Sequence, residues 1–173
     1  MLDRKTTLEQ PRIRPATARD LDAVNAVYNH YVVHSTTTYQ TEPETREARQ
    51  AWFDSHGAKH PVTVAEVDGE ILGWGSLSPF HPRAAYHRTV EDSIYVRHDA
   101  RRRGIGRALL TDLIDRAIKL GHHTIIAGID SEQAGSIALH ARFGFVEVAR
   151  LREVGFKFDR WLDVVYMQRM LAE

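Results

Sequence analysis

The sequence predicts a mixed α/β domain in which a mostly antiparallel sheet is flanked by helices. Apolar residues alternate with polar ones over several short segments, as in half-buried strands, and recur at helical spacing over others. The turn pair Asp68-Gly69 joins two of the alternating segments, which is typical of a hairpin. The chain has 173 residues, of which 43% are hydrophobic, so it is long enough for one domain with a buried core.

The first half of the chain predicts two helices between a first strand and the hairpin. Thr17 and Asp20 have the spacing of a near capping box, which favours a helix start. Apolar residues at helical spacing follow from Leu21 to Val32 and form a stripe that we expect to be buried. The predicted segments are a polar tail at 1–11, a strand at 12–16, this first helix, a second helix at 45–56, and hairpin strands at 62–67 and 70–77.

The second half alternates strands with helices. Gly121 and Gly144 end the two helices, as glycines commonly do. The predicted segments are a strand at 89–96, a helix at 105–120, a strand at 124–129, a helix at 133–143, and strands at 145–151 and 161–171. The order is therefore βααβββαβαββ. Because no repeat, low-complexity tract or linker interrupts it, we expect residues 12–173 to form a single domain.

Small and positively charged residues lie where the strand at 89–96 leads into the helix that begins at Ile105. A helix start offers unpaired N–H groups and the positive end of the dipole, and glycines let a phosphate approach the backbone. The spacing excludes two other phosphate-binding loops. A P-loop needs Lys-Ser/Thr after its last glycine, but Gly106 is followed by Arg107-Ala108. A dinucleotide-binding loop needs a glycine or alanine at the third position of G-x-G-x-x-G/A, which Leu109 occupies here. The alternative is a helix start with a solvated arginine face. The candidate phosphate-binding residues are Arg101, Arg102, Arg103, Gly104, Ile105, Gly106, Arg107 and Ala108.

Composition excludes several classes of protein. Lys plus Arg and Asp plus Glu both number 23, so no overall charge attracts nucleic acid or an anionic membrane. The chain has no cysteine, which excludes disulfides, a cysteine nucleophile and cysteine-rich zinc sites. His30 and His34 lie four residues apart on a predicted helix but lack a third ligand at a defined spacing, so no metal is expected. No apolar run approaches the roughly 18 residues of a membrane span, and we expect a soluble cytoplasmic protein.

The pattern Q/R-x-x-G-x-G/A, matched by Arg101, Gly104 and Gly106, resembles the pyrophosphate loop of the GNAT superfamily of acetyl-CoA-dependent N-acetyltransferases. Together with the order of elements, the resemblance covers about residues 12–171. The phosphinothricin and methionine sulfoximine (sulfone) N-acetyltransferase branch is matched by R-x-A-Y at 83–86, T-V-E-x-S-x-Y-V at 89–96, Leu139-His140 and Gly155-Phe156-Lys157. The resemblance implies a GNAT fold and acetyl transfer from acetyl-CoA to the α-amino group of a small amino acid. It also implies a homodimer.

Glu91 is the candidate general base. An amine attacks a thioester only when it is unprotonated, so at neutral pH a base assists. Strand alternation places Glu91 on the polar face with Thr89, Ser93 and Tyr95. Similar acetyltransferases have a glutamate here, whereas the alternative is a solvated glutamate on an edge. Backbone N–H groups near Val96 would stabilise the oxyanion.

The resemblance implies roles for residues on other elements. His140 takes the position from which many members of the superfamily protonate the leaving CoA thiolate. The alternative is that this histidine is an ordinary surface or helix residue with no catalytic role. Gln133 stands near the position of an asparagine that contacts pantetheine, with Ser136 as a weaker candidate. The cofactor-binding set therefore adds Tyr95, Val96, Gln133 and Ser136, and the substrate-binding set is Arg83, Tyr86, Thr89, Phe156 and Lys157.

Other functions stay open at the level of sequence. The arginine cluster is compatible with a nucleic-acid-binding module, although the neutral net charge disfavours it. The fold is also compatible with an acetyl-CoA sensor without turnover, or with an enzyme that acetylates a peptide N-terminus or another amine.

Overall fold

The computed structural model describes residues 10–171, so most of the predicted polar tail at 1–11 lies outside the described residues. The predicted order of strands and helices is confirmed. The elements are β1 (Arg12–Pro15), α1 (Leu21–His34), α2 (Arg46–Asp54), β2 (Val62–Val67), β3 (Glu70–Pro79), β4 (Thr89–Val96), α3 (Ile105–Lys119), β5 (Thr124–Asp130), α4 (Ala134–Arg142), β6 (Val146–Lys157) and β7 (Arg160–Met170). Short 3₁₀ turns lie at Ala18–Asp20, Ala84–Tyr86 and His98–Ala100.

All seven strands join one sheet in the order β1-β2-β3-β4-β5-β7-β6. Neighbouring strands are antiparallel except β4 and β5, which are parallel. The parallel pairing is short: it runs from Thr89 opposite Thr124 to Glu91 opposite Ile126. Beyond Glu91 the two strands diverge, and this separation opens a cleft in the middle of the sheet.

The two faces of the sheet carry different helices. On one face α3 buries Leu110, Leu113 and Ile114 against strand residues such as Val90 and Ile125. On the other face α1 packs on the central strands, and the stripe predicted for it is buried. Because side chains alternate along β4, consecutive residues of this strand point to different helices.

Three tryptophans occupy different environments. Trp74 is 2% exposed in the core under α1, whereas Trp161 on β7 is 60% exposed. Trp52 of α2 is partly buried against the same cluster as Trp74. Core packing therefore accounts for Trp74 and not for Trp161.

The N-terminal turn is held by a partly buried ion pair between Arg14 and Asp20. Asp20 accepts hydrogen bonds from Arg14 at 2.8 Å through both carboxylate oxygens, and also from the backbone N–H of Thr17. The hydrogen bond from Arg14 is the main reason that the pKa of Asp20 falls to about 2. The capping box that the sequence predicts at Thr17 and Asp20 is therefore present. Within residues 10–171 no helix is both long and apolar enough to cross a membrane.

Candidate active site

The divergence of β4 and β5 produces two adjoining cavities. The inner cavity, of about 280 Å³, is lined by residues of β4, β5, β7, α4 and the loop that follows α1. The outer groove, of about 1050 Å³, is lined by the segment before α3, the start of α3, and α4. The two share six lining residues, namely Thr37, Ile94, Tyr95, Gln133, Ser136 and His140. A ligand in the groove therefore meets a ligand in the cavity at this shared wall.

The predicted phosphate loop forms one end of the outer groove. Gly104 has φ +81° immediately before the first helical residue, and Arg102 also has a positive φ of +59°. The N–H groups in the first turn of α3 have no intrahelical acceptors, which is the feature that lets helix starts bind anions. The loop residues that line the groove are Arg101, Arg102, Gly104, Ile105, Gly106 and Arg107. Arg103 and Ala108, which were predicted with them, are not among its lining.

Arg101 ties this loop to α1. Its Nε donates to the hydroxyl of Tyr31 at 3.0 Å, and its guanidinium lies 5.1 Å from the centre of that ring. The Tyr31 hydroxyl in turn donates to the carbonyl of Val96 at 2.5 Å. The end of β4 and the arginine loop are therefore fixed to the same tyrosine, which positions one wall of the groove.

The residues predicted to contact the rest of the cofactor lie along the same groove. Tyr95, Val96, Gln133 and Ser136 all belong to its lining. Tyr95 stacks on Trp74 with ring centres 4.8 Å apart, and burial raises the pKa of its hydroxyl. The structure therefore brings the predicted loop and these four positions together.

Glu91 belongs to the lining of the inner cavity and lies at the last paired position before β4 and β5 diverge. Its carboxylate lies against the backbone of β5, because a Cβ atom at Gly128 would be 3.2 Å from Glu91 Oε1. Burial, and to a smaller extent the charge of Asp92, raise the pKa of Glu91. A carboxylate of this kind is more basic than a solvated one, which suits proton abstraction.

His140 and Asp92 form a buried pair between α4 and β4. His140 Nε2 lies 3.0 Å from Asp92 Oδ2, and His140 Nδ1 lies 2.8 Å from the carbonyl oxygen of Ser136. Burial by itself lowers the pKa of His140, but the hydrogen bond and charge of Asp92, with the Ser136 carbonyl, outweigh it and raise the pKa. Both ring nitrogens thus have partners, so donation of a proton to another group requires that one of these bonds break.

The loop after α1 covers the inner cavity. Thr37, Thr38 and Tyr39 belong to the cavity lining, and the Tyr39 hydroxyl donates to Asp130 Oδ2 at 2.9 Å, with the Asp163 carbonyl at 3.0 Å as a second acceptor. Burial and the hydrogen bond to Asp130 raise the pKa of Tyr39. The tyrosine therefore connects the loop to the carboxyl end of β5.

Lys157 holds the same loop from the other side. Its Nζ donates to the carbonyl oxygens of Ser35 at 2.7 Å and Thr38 at 2.8 Å, and lies 3.5 Å from that of Tyr31. The side chain is buried, and desolvation lowers the pKa of its amine. Its donors are directed to backbone carbonyls rather than to the inner cavity, and the contact of Lys157 with substrate stays a prediction.

The other predicted substrate-binding residues lie outside the inner cavity. Arg83 and Tyr86 are exposed in the loop between β3 and β4, and Phe156 is 54% exposed against Trp161 with ring centres 5.0 Å apart. Thr89, at the start of β4, is half-buried. None of these residues lines the cavity within the described part of this chain. The lining of the cavity likewise contains no lysine or arginine.

Sequence reasoning missed several residues that line the inner cavity, and three of them are Asp92, Asp130 and Tyr39. Asp92 falls on the apolar face of β4 with Val90 and Ile94, and an acid in that position is itself a signal of a buried partner. Asp130 ends β5 at its carboxyl end, where side chains reach the cleft. Tyr39 carried no signal, because its role depends on how the loop folds back. Across residues 10–171 no group of histidines and acids is arranged to hold a metal ion.

Comparison with known proteins agrees with this architecture. Residues 24–145 match the Acetyltransferase (GNAT) family. The chain is 42% identical over 158 residues to the L-methionine sulfoximine/L-methionine sulfone acetyltransferase of Pseudomonas aeruginosa, covering 90% of this chain and 92% of that protein. The phosphinothricin acetyltransferase of Sinorhizobium meliloti, solved in complex with acetyl-CoA, has a TM-score of 0.92 and 37% identity, covering 95% and 90% of the two chains. The ribosomal-protein-alanine N-acetyltransferase of Brucella melitensis has a TM-score of 0.90 and 41% identity, covering 92% and 99%.

The fold and the site define an acyltransferase with a split central sheet. The chain belongs to the Acetyltransferase (GNAT) family. The predicted GNAT fold and the predicted similarity to the phosphinothricin and methionine sulfoximine branch are both confirmed.

Proposed function

We propose that this protein transfers the acetyl group of acetyl-CoA to the α-amino group of a small amino acid of the phosphinothricin, methionine sulfoximine and methionine sulfone class. One observation carries the proposal: a groove that begins at an anion-binding helix start meets, at a shared wall, a small cavity that contains a carboxylate of raised pKa. The names of the relatives support the choice of acceptor.

In this proposal acetyl-CoA occupies the outer groove. The diphosphate binds the N–H groups at the start of α3, and Arg102 and Arg107 supply positive charge. The pantetheine arm runs along the end of β4 by Tyr95 and Val96, facing Gln133 and Ser136 of α4. The thioester then lies at the wall that the groove shares with the inner cavity.

The acceptor amine occupies the inner cavity beside Glu91. Glu91 takes a proton from the ammonium group, directly or through water, and passes it to solvent. The freed nitrogen attacks the thioester carbon, and its second proton passes to the Glu91 carboxylate as the C–N bond forms. Backbone N–H groups near Val96 stabilise the oxyanion of the tetrahedral intermediate. The intermediate collapses as the C–S bond breaks and its electron pair stays on sulfur. The step uses no metal.

The size of the cavity favours a small acceptor. Its volume of about 280 Å³ is just below the roughly 300–1,000 Å³ that is typical of ligand pockets. An amino acid fits such a volume, with its ammonium group among the carboxylates of the lining. We assign Arg83 and Tyr86 to the part of the acceptor that extends beyond the cavity, where a guanidinium can bind a carboxylate or a phosphinate.

A second candidate is acetylation of a protein N-terminus. Two observations favour it: the cavity lining contains no lysine or arginine to bind a free carboxylate, and a relative of 41% identity bears the name of a ribosomal-protein-alanine N-acetyltransferase. A peptide would place its amine in the cavity and extend its chain outward. The two candidates differ in whether a free carboxylate is required.

The proposal includes a homodimer in the cytoplasm, where acetyl-CoA is available. Exposed apolar side chains are concentrated on β6, β7 and the turn between them, and a second copy of the chain would cover them. Neither nucleic acid nor a membrane has a role in the proposed reaction.

The release of CoA thiol from acetyl-CoA tests the proposal. The acceptors are phosphinothricin, methionine sulfoximine, methionine sulfone, ordinary amino acids, the methyl ester of methionine sulfone, and short peptides with N-terminal alanine. We expect the highest kcat/KM for one of the first three and a loss with the ester, which lacks the carboxylate. Equal rates with the ester and the highest rate with a peptide would favour the second candidate. Binding of acetyl-CoA without turnover on any acceptor would contradict both.

A further inference from the structure

We propose that Asp92 is a positioning residue that acts through His140: its carboxylate keeps the imidazole ring charged and fixed at the shared wall, where the positive charge stabilises the CoA thiolate as it leaves. This inference rests on the proposed function for its chemical step. It departs from the sequence-based prediction, which made His140 a proton donor, and it assigns a role to Asp92, to which that prediction gave none.

With Asp92 ionised, the hydrogen-bond geometry places a proton on each ring nitrogen. The Ser136 carbonyl, 2.8 Å from Nδ1, accepts hydrogen bonds but cannot donate one, so Nδ1 carries a hydrogen. An ionised Asp92 likewise only accepts, so Nε2, 3.0 Å from Oδ2, carries one as well. A ring that donates from both nitrogens is an imidazolium. The only other arrangement with the same number of protons places one of them on Asp92.

Burial and packing fix the orientation of the ring, while Asp92 keeps it charged. His140 is 3% exposed and Asp92 is 7% exposed, so neither charge is compensated by bulk water. Phe145 packs edge-on against the imidazole, with ring centres 5.0 Å apart. Rotation of the ring toward another acceptor would break two hydrogen bonds and leave a buried carboxylate without a partner. The ring therefore acts as a fixed charge.

The buried carboxylate of Asp92 depends on His140 for its hydrogen bond. Asp92 Oδ1 is buried and finds no hydrogen-bond partner among the described residues, so the contact through Oδ2 is its compensation. Other titratable residues line the same cavity and contribute to the field at the pair. They are Glu91 of β4, Asp130 of β5, Tyr166 of β7 and Tyr39 of the loop after α1. Because these are acids or neutral phenols, the imidazolium is the positive group in this wall.

The position of the charge suits the leaving group. His140 belongs to the lining of both the cavity and the groove, and under the proposed function the thioester sulfur lies at this wall. As the C–N bond forms, the amine proton passes to Glu91; as the C–S bond breaks, the electron pair remains on sulfur. The thiolate departs beside the imidazolium and takes its proton from solvent. Fixed charge in a site of low dielectric stabilises such an anion more than water does.

The protonation of His140 is measured by NMR on protein labelled with ¹⁵N in its histidines, with the His140→Gln spectrum to assign the signals. We expect wild type to give two protonated ring nitrogens at pH 7 and Asp92→Asn to give the neutral ring with hydrogen on Nδ1. Asp20→Asn is the matched control, because it removes another buried, ion-paired aspartate and should leave the His140 signals unchanged. A neutral His140 in wild type, or an imidazolium that persists in Asp92→Asn, would overturn the inference.

The catalytic readout uses the same variants. Asp92→Asn and His140→Gln should each lower kcat by roughly 100-fold, with KM for acetyl-CoA nearly unchanged and with little further loss in the double variant. Asp20→Asn should lose thermal stability but keep kcat. Losses of stability with full kcat would reduce the pair to a structural role and overturn the proposal. If the wild-type protein acetylates no acceptor, the proposed function fails, but the NMR result on His140 still stands. The wild-type spectrum also decides whether His140 is an imidazolium when a variant does not fold.

Discussion

At the scale of single residues, the site depends on two adjacent acids that face opposite sides of β4. Both residues line the inner cavity, where Glu91 lies against Gly128 of β5 and Asp92 is paired with His140 of α4. Strand alternation separates them, so two carboxylates one residue apart have different partners and different tasks. In the proposed reaction Glu91 receives a proton, and Asp92 fixes a positive charge.

Substitution of Glu91 by glutamine tests the base. Because burial raises its pKa, the carboxylate is in its basic form above that raised value and loses this form as the pH falls through it. We expect kcat/KM of the wild-type enzyme to decline on the acidic side, and Glu91→Gln to lower kcat by about 100-fold or more at pH 7 and to remove this acidic limb.

Glu147→Gln is a suitable control for this measurement. Glu147 is exposed on β6 and pairs only with Arg150 in the described structure, so its substitution should leave the pH profile of kcat unchanged. A full rate for Glu91→Gln at pH 7 would remove Glu91 as the base.

Sequence patterns identified the residues of this site that depend on local structure, and missed those that depend on contacts between distant parts of the chain. Glu91 and the arginine loop were predictable, because alternation and helix-start chemistry are local properties of the chain. The pairing of Asp92 with His140 joins positions 48 residues apart and depends on how α4 packs on β4. Lys157 was assigned to substrate because it matches a segment that shapes the pocket in similar enzymes. Only the folded loop provides the carbonyl oxygens that its amine binds.

At the scale of secondary-structure elements, two glycines with positive φ flank α3, and only the first lines the groove. Gly104 has φ +81° before the helix and Gly121 has φ +76° after it, and an added Cβ would meet no atom within 4 Å at either position. An alanine therefore costs about 1–2 kcal/mol at each position through backbone strain alone.

This matched pair separates stability from cofactor binding. Gly104→Ala should lower the free energy of unfolding and also weaken acetyl-CoA binding by roughly tenfold, since the loop relieves strain by leaving the conformation that presents its N–H groups. Gly121→Ala should lower the stability by a similar amount and leave the affinity unchanged. Calorimetric titration and thermal unfolding of both variants provide the measurement. Equal affinities would place the diphosphate elsewhere.

The loop after α1 is a second element whose position matters for the acceptor. Lys157→Met removes the donor to the Ser35 and Thr38 carbonyls while it keeps most of the volume of the side chain. We expect a loss of about 2–3 kcal/mol in the free energy of unfolding, because buried carbonyls lose their partner. We also expect a higher KM for the acceptor with little change for acetyl-CoA, because the loop lines the inner cavity.

Lys59→Met is the control for this substitution, since Lys59 is exposed in the segment between α2 and β2. Steady-state kinetics with each substrate varied in turn measures the effect. A selective rise in KM for acetyl-CoA would contradict the assignment of this loop to the acceptor side.

The elements themselves were predictable in order but not always in length. Periodicity located every strand and helix, because α1 and α3 each bury one stripe and the central strands bury alternate residues. The strand predicted at 145–151 instead continues to Lys157. Its pairing with β7 changes register after Glu147 and again after Leu151, and most of its side chains are exposed. Such a strand lacks the alternation on which a prediction from sequence depends.

At the scale of the whole molecule, one end of the sheet is unlike the rest of the surface. β6 is an edge strand that pairs with β7 alone in the described chain. Eight of the twelve large hydrophobic side chains that are exposed in residues 10–171 lie on this hairpin. They are Val146, Val148, Leu151, Val154, Phe156, Phe158, Trp161 and Met170. An exposed apolar edge of this kind favours association with another chain.

The proposed homodimer predicts a specific response to charge on this hairpin. Val154 on β6 is 53% exposed, and Val154→Lys places a charge where a second copy would pack. We expect sedimentation equilibrium to give a dimer for wild type and a monomer for this variant. Ile118→Lys is the control, because Ile118 is 46% exposed on α3, away from the hairpin, and should leave the dimer intact. A wild-type protein that is monomeric at micromolar concentration would contradict the homodimer. A Val154→Lys variant that stays dimeric would place the interface away from this hairpin. In either case the apolar hairpin would need a different partner.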